Sequence, residues 1–92
     1  SFQTDAVKHE LENFVNATAG DLMQRFREQF PAMSDKKLDF VTLIFAGFKN
    51  QSVYIMLEFP SMGAVRTMRH RVKTEIGTSD CRDKDEFLSY FD

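Results

Sequence analysis

The sequence predicts an all-α fold of about six short helices around a central buried one. Three observations carry that prediction. Apolar residues recur at steps of three and four in segment after segment, the spacing of one face of a helix advancing about 100° per residue. Glycine, proline and small polar residues stand where such segments end. Ten Phe and five Met with no Trp suit a small helical core filled by long, adaptable side chains better than a β-sandwich. With 42% apolar residues in 92, the chain reads as one globular domain near the lower limit for a self-sufficient core. Residues 1–33 form a helical lead-in, 34–77 the core and 78–92 a docking segment, and no strand, repeat or low-complexity stretch is visible.

The first helix is expected from about Thr4 to Ala19, with Val7, Leu11, Phe14, Val15 and Thr18 on one face and Gly20 ending it. Asp21 is expected to cap the second, whose stripe is Leu22, Phe26 and Phe30 before Pro31 breaks it. Ser34 caps the third, Lys36 to Ala46, in which Leu38, Phe40, Val41, Leu43, Ile44 and Phe45 leave almost no polar face, so this helix belongs in the centre. Gly47 ends it. Asn50 is expected to cap a fourth helix, Gln51 to about Glu58, with Val53, Met56 and Leu57 inward and Tyr54 at the edge. Phe59-Pro60 closes that one, because proline disfavours a helical residue before it.

Ser61 then caps the fifth helix, in which Val65, Met68, Val72 and Ile76 form the inner stripe and Gly77 supplies the stop. Two helices joined by so tight a turn cross steeply, as in a helix-turn-helix unit. A last helix from about Arg82 to Phe91 is expected to dock through Phe87, Leu88 and Phe91.

Net charge is −2, yet residues 60–77 hold four cations against Glu75 and sum to +3, while 78–92 sum to −3. The local sign is what a polyanion meets. With the apolar stripe inward, Arg66, Thr67, His70 and Thr74 point outward, and Arg69 and Arg71 flank the stripe on opposite sides. Arginine suits a bidentate contact with guanine, and threonine offers a methyl and a hydroxyl to base edges. The bland alternative is an ordinary solvated face. Arg71 has a structural alternative of its own, an ion pair with Asp80, Asp83, Asp85 or Glu86.

The order Ser34, Leu38, the apolar run to Ala46-Gly47, Asn50, Val53-Tyr54, Leu57, Phe59, Ala64-Val65, Arg71-Val72 and Ile76 resembles the C-terminal DNA-binding domain of LuxR/FixJ-type response regulators. The likeness is nearest to a bacterial branch in which such a domain ends large tetratricopeptide-containing membrane sensors. Three departures stand out: Tyr54 occupies the position of a small residue, the turn from Leu57 to Val65 is one residue longer, with Pro60 the extra, and Gly63 stands near the start of the fifth helix, where glycine is unfavourable. The resemblance implies a bacterial transcriptional regulator that binds double-stranded DNA, cytoplasmic in location, with contacts at Arg66, Thr67 and His70 and, nearby for phosphates, Arg69, Lys73 and Thr74. Its alternative is a degenerate helix-turn-helix serving as a protein-interaction or dimerisation module of a larger sensor.

A homodimer through the first helix, using Val7, Leu11, Phe14 and Val15, is a further expectation, as is a longer parent protein, since Ser1 is not an initiator Met. No enzyme is expected: His9 and His70 lie on separate helices, and neither a Gly-rich phosphate loop nor a nucleophile beside a base is present. No cofactor or metal is expected either, since Asp80, Asp83 and Asp85 lack the Gly and closing Glu of a calcium loop. The lone Cys81 makes no internal disulfide and points to a reducing compartment, and no apolar run approaches the roughly 20 residues of a membrane helix.

Overall fold

The computed structural model describes residues 5 to 92, and these fold into six helices with no strand: α1 (Asp5–Thr18), α2 (Leu22–Gln29), α3 (Asp35–Phe45), α4 (Asn50–Met56), α5 (Met62–Thr78) and α6 (Lys84–Leu88). Helix α3 is the buried centre, as its sequence requires. Leu38 and every residue from Phe40 to Phe45 are buried. Thr42, the polar member, donates its hydroxyl to the Leu38 carbonyl at 2.8 Å. All six helices contribute to one apolar cluster. Phe26, Phe45 and Phe87 meet at its heart, with ring centroids 5.0 to 5.9 Å apart. Burying such a ring contributes about 1.5–3 kcal/mol, so Phe87 anchors the five-residue α6 far more strongly than its helical propensity does.

Three helix ends are closed by one device. The third residue past the helix sends its amide back five residues: Asp21 to Asn16, Phe48 to Leu43 and Phe59 to Tyr54, at 3.0, 3.0 and 3.1 Å. The residue before it is left-handed: Gly20 at φ 61°, Gly47 at 93° and Glu58 at 54°. This is the Schellman closure. Gly20 and Gly47 announce it in the sequence, whereas Glu58 does not. Helix α4 therefore stops at Met56 rather than near Glu58, and Glu58, not Pro60, is the residue that turns the chain.

The capping expectations divide. Ser34 and Ser61 accept from the Lys37 and Ala64 amides at 3.3 and 3.1 Å. Asp21 makes no cap bond and is itself left-handed at φ 57°. Instead Asn16, in the last turn of α1, accepts from the Met23 and Gln24 amides at 2.9 and 3.0 Å. The two successive left-handed residues Gly20 and Asp21 fold α1 back over the start of α2, which brings that side chain within reach. Asn50 is the first residue of α4 rather than its cap. Gly77 does not end α5 either: it lies inside the helix without a positive φ, and the chain leaves after Thr78, where the Ser79 hydroxyl donates to the Ile76 carbonyl at 2.7 Å.

The stripe expected on α1 is narrower than its sequence suggests. Val15 is buried and Val7 and Leu11 pack against the core, but Phe14 is 53% exposed and Thr18 faces solvent. Helices α2 and α3 cover only the Val7–Leu11–Val15 side. Thr4, the expected first residue of α1, lies outside the described residues. Helix α6 is shorter than the expected Arg82 to Phe91, although Phe87 and Phe91 are buried and Leu88 half-buried as expected. Among the described residues no helix is long and apolar enough to cross a membrane.

Candidate nucleic-acid interface

Helix α5 packs against α4, α3 and α6. Val65, Val72 and Ile76 are fully buried beneath it, and Met68 is half-buried against the core. That fixes the rotation of the helix. The opposite side presents Arg66, Thr67, His70, Arg71, Lys73 and Thr74, all exposed. Five of the six residues singled out as candidates thus reach solvent together, and Arg69 is the exception.

Arg69 is half-buried and held in three ways. Its Nη1 donates to Asn50 Oδ1 at 3.0 Å, its Nε donates to the Phe91 carbonyl at 3.3 Å, and its guanidinium lies 5.8 Å from the Phe91 ring centroid. It ties α5 to the start of α4 and to the chain end. Lys73 reaches Asp92 at 3.1 Å, but both side chains are exposed, at 46% and 77%, so water and salt compete with that pair. None of the ion pairs among the described residues includes Arg66, His70 or Arg71.

The acidic C-terminal segment pairs elsewhere. Arg25 Nη1 lies 2.9 Å from Asp83 Oδ2 and 2.8 Å from Glu86 Oε1, and Arg25 Nε donates to the Gly20 carbonyl at 2.9 Å. Gln29 donates to Asp83 Oδ2 at 2.7 Å and accepts from the Asp83 amide at 3.0 Å. The structural alternative for Arg71 is thereby corrected: Arg25 takes Asp83 and Glu86, and no ion pair among the described residues joins Arg71 to Asp80 or Asp85. The Gln29 and Arg25 donors, with Arg82 beside them, lower the Asp83 carboxyl to about 2. Arg25 likewise lowers Glu86. The network fastens α6 to α2, on a different part of the fold from the exposed side of α5.

Arg71 lines a groove instead. Lys36, Phe59, Pro60, Ala64, Thr67 and Met68 form its other walls, and its volume is about 240 Å³. The Lys36 ammonium sits 5.6 Å from the Phe59 ring centroid, within cation–π range. Phe59 itself is buried, and its ring meets Phe40 edge-on at 6.1 Å. A second, more polar cavity of about 520 Å³ opens on the Arg69 side, between Lys49, Asn50 and Tyr90. Arg69 and Arg71 therefore flank the buried stripe on opposite sides, as the helical wheel requires.

Lys36 is the member of this surface that sequence reasoning missed. It lies thirty-five residues before Arg71, and only the packing of α3 beside α5 brings the two cations to one groove. Tyr54 is half-buried and packs against the core, so its ring is accommodated where α4 meets the rest of the fold. Cys81 is half-buried and also packs against the core. Comparison with protein-family models, with curated proteins and with solved structures gives no match.

Proposed function

We propose that the chain is a helix-turn-helix unit that binds double-stranded DNA, with α5 entering the major groove and α4 crossing the backbone. The observation that carries this reading is the exposed side of α5: two arginines with no carboxylate partner, a histidine and two threonines on a helix whose other side is locked into the core. Arg66, Thr67 and His70 are the readers of base edges. Arg71, Lys73, Thr74 and Lys36 face the phosphates, and Lys73 exchanges its exposed partner Asp92 for one. Arg69 acts through the fold, since its contacts tie α5 to the start of α4 and to Phe91. The LuxR/FixJ resemblance of residues 34–77 supports the same reading, and with it a role as the cytoplasmic DNA-binding end of a bacterial transcriptional regulator.

Fluorescence anisotropy on a random duplex library tests the proposal. Binding should weaken with a log–log salt slope of about −3 to −5 for roughly three to five neutralised phosphates. Arg66→Ala should relax base preference at one position by about 1–3 kcal/mol, and Lys36→Ala should weaken all sequences alike and lower the slope by about 1. Absence of binding to any duplex at low salt would overturn it. The second reading, a helix-turn-helix that serves protein contacts, is favoured by one observation of its own, the large exposed ring of Phe14.

A further inference from the structure

We propose that the groove between α3, α5 and the turn before α5 receives the outer edge of α1 from a second copy of this chain. Two complementary features carry the inference. The groove has an apolar floor of Phe59, Pro60, Ala64 and Met68, with two cations at its rim, Lys36 and Arg71. Neither cation is in an ion pair among the described residues.

On α1, Phe14 is the one large aromatic of the described residues that stands mostly in solvent, 53% exposed. Glu10, one turn earlier, is exposed beside it and likewise takes part in no ion pair there. Residues four apart share a helix face. The α1 edge thus offers an aromatic ring with a carboxylate one turn away, and the groove offers an apolar slot with two ammonium and guanidinium donors at its mouth. Shape class and charge sign match.

One copy cannot satisfy itself. Helix α1 is held on the core by Val7, Leu11 and Val15, which turns the Phe14–Glu10 edge away from the molecule. The partner groove must come from a neighbour. A contact of one ring and two ion pairs is smaller than the roughly 1,200 Å² of a stable interface, so the association is weak and concentration-dependent. It also covers Thr67 and Arg71, which line the groove and face outward on α5.

Sedimentation velocity on the whole chain, without nucleic acid and over a wide concentration series, tests the contact. The mean mass should rise with concentration. Phe14→Ala and Arg71→Glu should each weaken self-association about tenfold, and Glu10→Arg combined with Arg71→Glu should restore it. All three positions are exposed, so unchanged circular dichroism will show that the variants keep the fold. A monomer at every concentration overturns the proposal, and so does association that survives Phe14→Ala and Arg71→Glu unchanged. Because no DNA is present, this result and the duplex titration fail independently.

Discussion

Replacing Gly47 with alanine isolates the mechanism that ends the central helix. Gly47 sits at φ 93°, and nothing lies within 4 Å of where a Cβ would stand, so the cost of the methyl is backbone conformation alone. A left-handed conformation costs an L-residue about 1–2 kcal/mol. Alanine also narrows the unfolded ensemble, which returns about 0.4–1 kcal/mol. The net loss is about 1 kcal/mol, a fall of roughly 4–8 °C in Tm for a domain of this size. Gly77→Ala is the matched control. Its surroundings are equally open, but its backbone is helical. There alanine should stabilise by about 0.5 kcal/mol, less than the full helical difference of about 1 because the position is in the last turn. Thermal unfolding followed by far-UV circular dichroism on both variants gives the signs directly. If Gly77→Ala lowers Tm as much as Gly47→Ala does, α5 ends at Gly77 and the account of its last turn is wrong.

Asn16→Ala should cost about 1 kcal/mol, the usual value of a lost cap, although the residue lies in a different helix from the one it caps; urea unfolding would measure it. Asp83 and Glu86 have folded pKa values below their unfolded ones, so each contributes in full above the ordinary carboxylate range and loses that contribution as pH falls. For Asp83 the window runs from near 3.8 down to about 2. Between those limits stability, measured by urea unfolding at several pH values, should fall less steeply with acid in Asp83→Asn than in the wild type. Arg69→Ala should lower Tm, since it removes the hydrogen bond to Asn50 and the contact over Phe91, whereas Arg66→Ala should leave Tm within experimental scatter. Equal effects of the two on stability would remove the distinction between a fold-holding and a reading arginine.

The number and order of the helices were legible in the chain because each signal is local. A serine oxygen three residues before an amide caps α3 at Ser34 and α5 at Ser61, a glycine tolerates the left-handed closure at 20 and 47, and a proline stops α2. The inward stripe of α5 was equally legible, since a helical period fixes which residues share a face. That stripe determined which candidates face solvent: Arg66, Thr67, His70, Lys73 and Thr74 do.

What tertiary structure decided is everything that depends on a neighbour distant in sequence. Glu58 takes a conformation its own side chain disfavours because the chain must turn into α5 there. Asn16 caps a helix it does not belong to because two left-handed residues fold α1 back on α2. Arg69, by composition as good a phosphate contact as Arg66, is drawn into the fold by Asn50 and Phe91, nineteen and twenty-two residues away. Lys36 and Arg71 come to one groove, and Phe14 is left outside it. Helical periodicity assigns a side chain to a face, but only packing decides whether that face meets the core, another residue's charge or water.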